Sequence, residues 1–293
     1  MNRDNRPCRK AGFFILRPAA GLCLALLAQS AFSAAPADST GAASIQGPAV
    51  RHVLPDYSYF KSYFIDTKNI ACAPAGWRWQ QWTAATLVAG CGAGVYFYDR
   101  EIMDVIQNHR NKGLDNVASV ARMFGTGRYV IPIAGAMYLG GYVFKNSKLE
   151  RTALLGLESM AISGIFTEML KITCHRHRPR ESVSPDIWDG PGLSDEFKSF
   201  PSGHSMATAA MATVVALEYR DTPAIGAIAC TIAAATGWSR MNDNAHWASD
   251  VFAGFTIGYC FSRVIVSSRA GGKVGVTPGP EGQGAGIALT GVW

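Results

Sequence analysis

Residues 171–179 read KITCHRHRP, residues 200–204 read FPSGH, and residues 239–250 read SRMNDNAHWASD. These pieces gather Lys171, Arg178, Arg240, His204, His246, Ser202, Gly203 and Asp250 into 80 residues of an otherwise apolar chain. Burying charge is expensive unless it is paired, so ionisable groups set between the most hydrophobic segments need a use. Lys171 and Arg178 are seven residues apart, close to two helical turns, so a continuous helix would carry them on one face. Pro179 disfavours helical geometry at Arg178, so that helix is expected to end there. Two cations at a helix end make a receptor for an anion, and the arginine fork suits phosphate oxygens. Ser202 is placed as the N-cap of a helix entering the apolar run 205–217, and Gly203 lets a ligand approach the backbone. Such a helix aims free N–H groups at an anion, with His204 on its first turn. His246 and Asp250, at i and i+4, would share a helical face. A carboxylate there can hold one imidazole nitrogen and leave the other as a nucleophile or base. Each piece also has an ordinary reading: a basic helix end, a cap with an incidental histidine, a structural His–Asp contact.

The conjunction is more specific than its parts. In order and spacing it resembles the three-part signature of the type 2 phosphatidic acid phosphatase (PAP2) superfamily: Lys-x6-Arg-Pro, then Pro-Ser-Gly-His, then Ser-Arg-x5-His-x3-Asp. All fixed positions are present between Lys171 and Asp250. The resemblance implies an all-α, six-helix PAP2/haloperoxidase-like bundle and a metal-independent phosphatase without cofactor. Carried over residue by residue, it implies His246 as nucleophile, passing through a phosphohistidine, with Asp250 orienting it. It also implies His204 as the group that protonates the leaving alkoxide and then activates water. Lys171, Arg178 and Arg240, with the Ser202 hydroxyl and the Gly203 N–H, would bind the phosphate. Phosphoryl transfer needs charge neutralised on three equatorial oxygens and an in-line nucleophile, and three fixed cations suit that need. His175 and His177 fall inside the first motif but are not fixed in it. They are expected to be surface residues near the mouth.

Lys198-Ser199-Phe200 before Pro201 departs from the Gly-Ser-Tyr of secreted non-specific acid phosphatases, and Ser-Phe-Pro-Ser-Gly-His over 199–204 looks more like the lipid-phosphate branch. That favours a lipid phosphate monoester or a prenyl pyrophosphate as substrate. The residues between Pro179 and Pro201, including Trp188 and the loop 189–192, are expected to form the rim of the site. Two other classes remain open in the sequence. A vanadate-dependent haloperoxidase would use the same anion pocket, and a non-catalytic lipid-phosphate binding or transport module would use it without turnover.

Working outward, 293 residues hold one sizeable domain with extras. Residues 1–33 resemble a secretory signal: a basic start, a short apolar core at 19–28, and small residues at 31–33. That segment holds five basic residues and one acidic one, so its removal lowers the formal net charge from +6 to +2. No basic run interleaved with aromatics remains, which argues against nucleic acid as a partner. Residues 34–80 read as an extended leader and surface segment. Residues 81–268 read as the helical domain, with apolar runs at 81–98, 129–144, 153–171, 205–217, 224–238 and 247–266. The polar, amphipathic stretch 99–127 is expected to lie across the others. Residues 269–293 form a Gly-rich tail in which Ala285, Ile287 and Leu289 alternate with smaller or more polar residues, which admits a strand or hairpin. Five cysteines follow the signal, and Cys91, Cys230 and Cys260 are expected to be buried. The cysteine spacing gives no zinc pattern.

The chain is 48% hydrophobic, yet its mean hydropathy of +0.09 is modest for a membrane bundle. A spanning helix wants about 20 apolar residues, and most of these runs are shorter. If the start of the chain faces out and the first three runs all span, Lys171 lies on the cytoplasmic side, which is the wrong side for an exported phosphatase. The sequence therefore predicts an exported, periplasmic, membrane-associated bundle in which at least one of the runs 81–98, 129–144 and 153–171 does not span.

Overall fold

A computed structural model describes residues 55, 57–182, 184–269, 275–277 and 286–288. The segment read as a signal, and the leader up to residue 54, lie outside the described residues. Among the described residues nine α-helices run in order: α1 Tyr57–Cys72, α2 Trp79–Phe97, α3 Asp99–Asn108, α4 Lys112–Met123, α5 Gly127–Val143, α6 Ser147–Cys174, α7 Gly203–Glu218, α8 Pro223–Asn242 and α9 Ala248–Arg269. Short 3₁₀ turns occupy Ala73–Gly76 and Asp195–Phe197. The all-α expectation holds for the domain, and each of the six apolar runs falls on a helix. Three helices come in addition. The amphipathic stretch divides into α3 and α4, because Asn111 leaves the helical region and its side chain accepts from Leu114 N at 3.0 Å, capping a new helix. The segment read as extended carries α1 across Tyr57–Cys72. In the tail, β1 Gly275–Thr277 pairs antiparallel with β2 Gly286–Ala288, with Val276 opposite Ile287.

The centre is α6, α7 and α9. Leu155 and Ile162 from α6, Val214 from α7, and Ile265 and Val266 from α9 form the buried cluster, with Tyr63 and Ile70 of α1 packed against it. Small residues set the spacing. A Cβ on Gly258 would lie 2.9 Å from Ala210 N, so α9 can approach α7 this closely only without one. Thr236 Oγ donates to Ala121 O at 2.8 Å and joins α4 to α8.

The outer faces remain apolar. Leu87, Leu139, Ile165, Met169 and Ile228 are all exposed. Cys230 and Cys260 are exposed rather than buried, because they sit on outward faces of α8 and α9 while glycine and alanine take the inward ones. Among the described helices, α6 and α9 are long and apolar enough to cross a membrane by length and composition.

Candidate active site

The three motifs meet at one end of the bundle, though not by the local geometry their spacing suggests. Helix α6 stops at Cys174, four residues before Arg178, because His175 takes left-handed geometry at φ 48°, ψ 53°. Lys171 and Arg178 therefore do not share a helical face. Lys171 comes from the last turn of α6, and Arg178 from the chain that turns back after it. Lys171 Nζ reaches Gly203, where a Cβ would sit only 3.2 Å from it. The glycine thus admits the lysine as well as any ligand. Glu168 Oε2 holds the same ammonium at 3.4 Å.

Arg178 Nη2 donates to Lys198 O at 3.4 Å, and Arg240 Nη1 pairs with Asp243 at 2.8 Å. The Nε–H groups of both arginines are buried and have no hydrogen-bond partner among the described residues. Buried guanidinium donors are rarely left unmatched, so two of them point to an anion that completes the site. Burial pushes both arginines below their usual range, and each also feels a neighbouring cation.

Ser202 caps α7, its Oγ accepting from Ser205 Oγ at 2.9 Å and more weakly from Ser205 N at 3.4 Å. The Ser202 hydroxyl proton is not spent in either bond. His204 lies in the first turn of α7, with Nε2 3.2 Å from Thr126 Oγ. Burial, reinforced by Arg240, Lys171, Arg122 and Arg178, lowers the His204 pKa to about 4, so the imidazole is neutral at pH 7.

His246 is 3% exposed and precedes α9 rather than lying on it. Its Nδ1 is 2.7 Å from Ser199 O, whereas Asp250 Oδ2 is 3.9 Å away. This corrects the expected direct His–Asp bond. Because His246 is off the helix, the i, i+4 relation does not bring the two groups together. A carbonyl can only accept, so Nδ1 carries the proton and Nε2 the lone pair. Burial first, then Arg178, Arg240 and Lys171, hold this imidazole well below the usual range, so it is neutral at pH 7. Asp250 instead accepts from Ser199 Oγ at 2.5 Å, Trp247 N at 2.9 Å and Arg176 Nη1 at 2.5 Å.

Several residues here went unmarked in the motifs. Arg176, at an unspecified position of the first motif, is fully buried between Asp250 and Asp99, which it meets at 2.7 Å. Asp243 lies within reach of both Arg240 and Arg122, the latter at 3.3 Å. His175 is buried rather than on the surface, whereas His177 keeps partial exposure. His175 is buried against Ser194 O at 3.1 Å, and His177 pairs with Asp189 at 2.7 Å and stacks on Phe197. Both tie down the loop of residues 188–192, which also bonds back through Asp189 N to His175 O at 3.2 Å and Gly192 N to Ile172 O at 2.9 Å.

Residues 152–271 match the family model described as the PAP2 superfamily, and that span contains all eight motif residues. The segment 152–271 belongs to the PAP2 superfamily. The chain is similar to a lipid A 1-phosphatase of Porphyromonas gingivalis, 29% identical over 52% of this chain and 34% of that one. It is also similar to a lipid A 1-phosphatase of Rhizobium johnstonii, 34% identical over 39% of this chain and 47% of that one. The chain thus spans between a third and a half of the curated relatives it matches. Among solved structures it resembles a transmembrane PAP2-type phosphatidylglycerolphosphate phosphatase from Bacillus subtilis, with TM-score 0.46 and 20% identity over 72% of this chain and 94% of that one. It also resembles Aquifex aeolicus LpxE, with TM-score 0.45 and 23% identity over 57% of this chain and 93% of that one.

Proposed function

We propose that the protein is a metal-independent phosphatase that hydrolyses phosphate monoesters carried on lipids, through a phosphohistidine at His246. The observation that carries this reading is the pair of buried, unmatched guanidinium Nε–H groups of Arg178 and Arg240, set beside two neutral histidines. The substrate phosphate completes these donors, and Lys171 and the N-terminus of α7 share its charge. His246 Nε2 attacks phosphorus in line, and the P–O bond to the lipid breaks as the N–P bond forms. His204 gives its proton to the departing alkoxide. It then takes a proton from water, whose oxygen attacks phosphorus and breaks the N–P bond, releasing inorganic phosphate.

His204 must be protonated for the first step although it is neutral at pH 7. A bound phosphate dianion raises the pKa toward that need, because it offsets the cations that, after burial, depress the imidazole. The exposed apolar faces and the two long apolar helices support attachment to a membrane. The signal-like stretch 1–33 is the ground for placing the mouth on the periplasmic side. The names of the relatives make the 1-phosphate of lipid A the first substrate to test, ahead of phosphatidic acid and prenyl pyrophosphate. Detergent-solubilised protein should release phosphate from one or more of these lipids and leave the dephosphorylated lipid detectable by mass spectrometry. Release from none of them would end the lipid-phosphatase reading, and tight binding without release would mark a binding module instead.

A further inference from the structure

Among the described residues Arg176 is the largest side chain held fully buried, and the proposed chemistry does not use it. Four of its five N–H donors meet protein acceptors: Nε meets Pro185 O at 2.9 Å, Nη1 meets Ser249 Oγ at 2.8 Å and Asp250 Oδ1 at 2.5 Å, and Nη2 meets Asp99 Oδ2 at 2.7 Å. The rings of Tyr96, Trp188 and Trp247 surround the guanidinium, with centroids 5.0, 4.9 and 5.7 Å from Cζ. With its donors engaged in this way, Arg176 is not poised to bind phosphate. Asp99 is equally committed, since it also accepts from Ser249 N at 2.8 Å and Ser249 Oγ at 2.5 Å.

The network closes on the nucleophile. Arg176 O accepts from Ser199 N at 3.0 Å, Ser199 Oγ donates to Asp250, and Asp250 is held by the Arg176 side chain. Ser199 is thus fixed at its N–H and its hydroxyl, and its third polar atom, the carbonyl, takes the Nδ1–H of His246. We propose that Asp99 and Arg176 are positioning residues for the reaction, acting through Asp250 and Ser199 to aim the His246 imidazole. The inference rests on the phosphatase reading for its kinetic consequence but not for its geometry. An aspartate at the start of α3, outside the three motifs, would then belong to the catalytic apparatus. A misplacement of a reacting group by about 1 Å costs on the order of a hundredfold in rate, so small displacements of Ser199 O are enough to matter.

The test is Asp99→Asn, which keeps shape and removes one charge from the pair on Arg176. Two readouts are taken on folded protein: kcat and KM for the best lipid phosphate, and the Nδ1–H proton resonance of His246 in protein carrying ¹⁵N-histidine, assigned by its loss in His246→Ala. The expected result is a kcat lowered by about tenfold or more with KM within about twofold, and a displaced or exchange-broadened His246 resonance. A purely structural role predicts a lower melting temperature alone, with kcat per folded molecule and the resonance both unchanged, and that result overturns the proposal. If Asp99→Asn does not fold, Ser249→Ala takes its place, since it removes one hydroxyl shared by Asp99 and Arg176 and leaves every charge. If the wild-type protein turns over no phosphate ester, the functional reading fails, and the resonance alone decides the positioning claim.

Discussion

Replacing His246 by two different residues separates its chemistry from its packing. The imidazole donates through Nδ1 to Ser199 O at 2.7 Å and is almost wholly buried. His246→Asn puts a carboxamide N–H near the Nδ1 position, so the Ser199 carbonyl keeps a donor while the nucleophilic Nε2 disappears. His246→Ala removes both. Leaving a buried carbonyl unmatched costs about 1–3 kcal/mol. For a domain of this size each kcal/mol lowers the melting temperature by roughly 2–4 °C. The alanine variant should therefore melt several degrees below wild type, and the asparagine variant should melt close to it. Both should lose turnover beyond the ~10²–10⁴ that general acid–base help alone supplies. Phosphate release gives the rate, a thermal melt in detergent gives the stability, and radiolabelled substrate with a rapid alkaline quench should trap label on wild type but on neither variant. An asparagine variant that keeps more than about a hundredth of the wild-type rate would refute a nucleophilic role for this imidazole.

Three further outcomes are expected. EDTA should leave phosphate release unchanged and vanadate should compete with substrate; activity lost to EDTA and restored by a divalent ion would mean that Lys171, Arg178 and Arg240 do not suffice to hold the phosphate. Because folding lowers the His204 pKa from its unfolded value to about 4, its contribution to stability is present above pH 6.5 and is lost as pH falls from there toward 4. Bound vanadate should raise that pKa, and an NMR titration of the ring that is identical with and without vanadate would refute the charge compensation argued above. A single cysteine at the exposed Ser194, in an otherwise cysteine-free chain, should react with an impermeant thiol reagent in intact spheroplasts; reaction only after lysis would place the mouth in the cytoplasm.

The sequence carried the contents of the anion site but not its construction. Lys171, Arg178, Ser202, Gly203, His204, Arg240 and His246 do converge at one end of the bundle. The route by which Lys171 and Arg178 meet was not legible. A helical repeat accounts for seven residues of spacing, and nothing in the residue types announces that His175 adopts left-handed geometry and ends the helix. The partner of Asp250 was illegible for a different reason. The i, i+4 rule operates within a helix, and His246 stands just outside one. Asp99 was beyond any local pattern, since it is 77 residues from Arg176 and 150 from Ser249, and only the packed fold brings the three together. The inward or outward facing of Cys230 and Cys260 was likewise undetermined, since runs this uniformly apolar show no preferred face.

That uniformity raises the question of what sets the register of α9, whose Gly254 and Gly258 lie close against the backbone before and within α7. The charges at its two ends answer it. In its first turn, Asp250 meets Arg176 and Ser199 at 2.5 Å each. In its last, Arg269 meets Glu158 of α6 at 2.6 Å and Asp66 of α1 at 3.1 Å. A slip of one residue moves α9 by about 1.5 Å along its axis and turns it through more than a quarter of a circle. Both buried clusters would then lose their partners at once, and stranding one partner of a buried ion pair costs on the order of 3–5 kcal/mol. Buried ion pairs add little net stability compared with apolar packing, and their better-attested use is to specify one arrangement among several. In this bundle the arrangement so specified is the one that brings the chain before α9, and with it His246, against the Ser199 carbonyl.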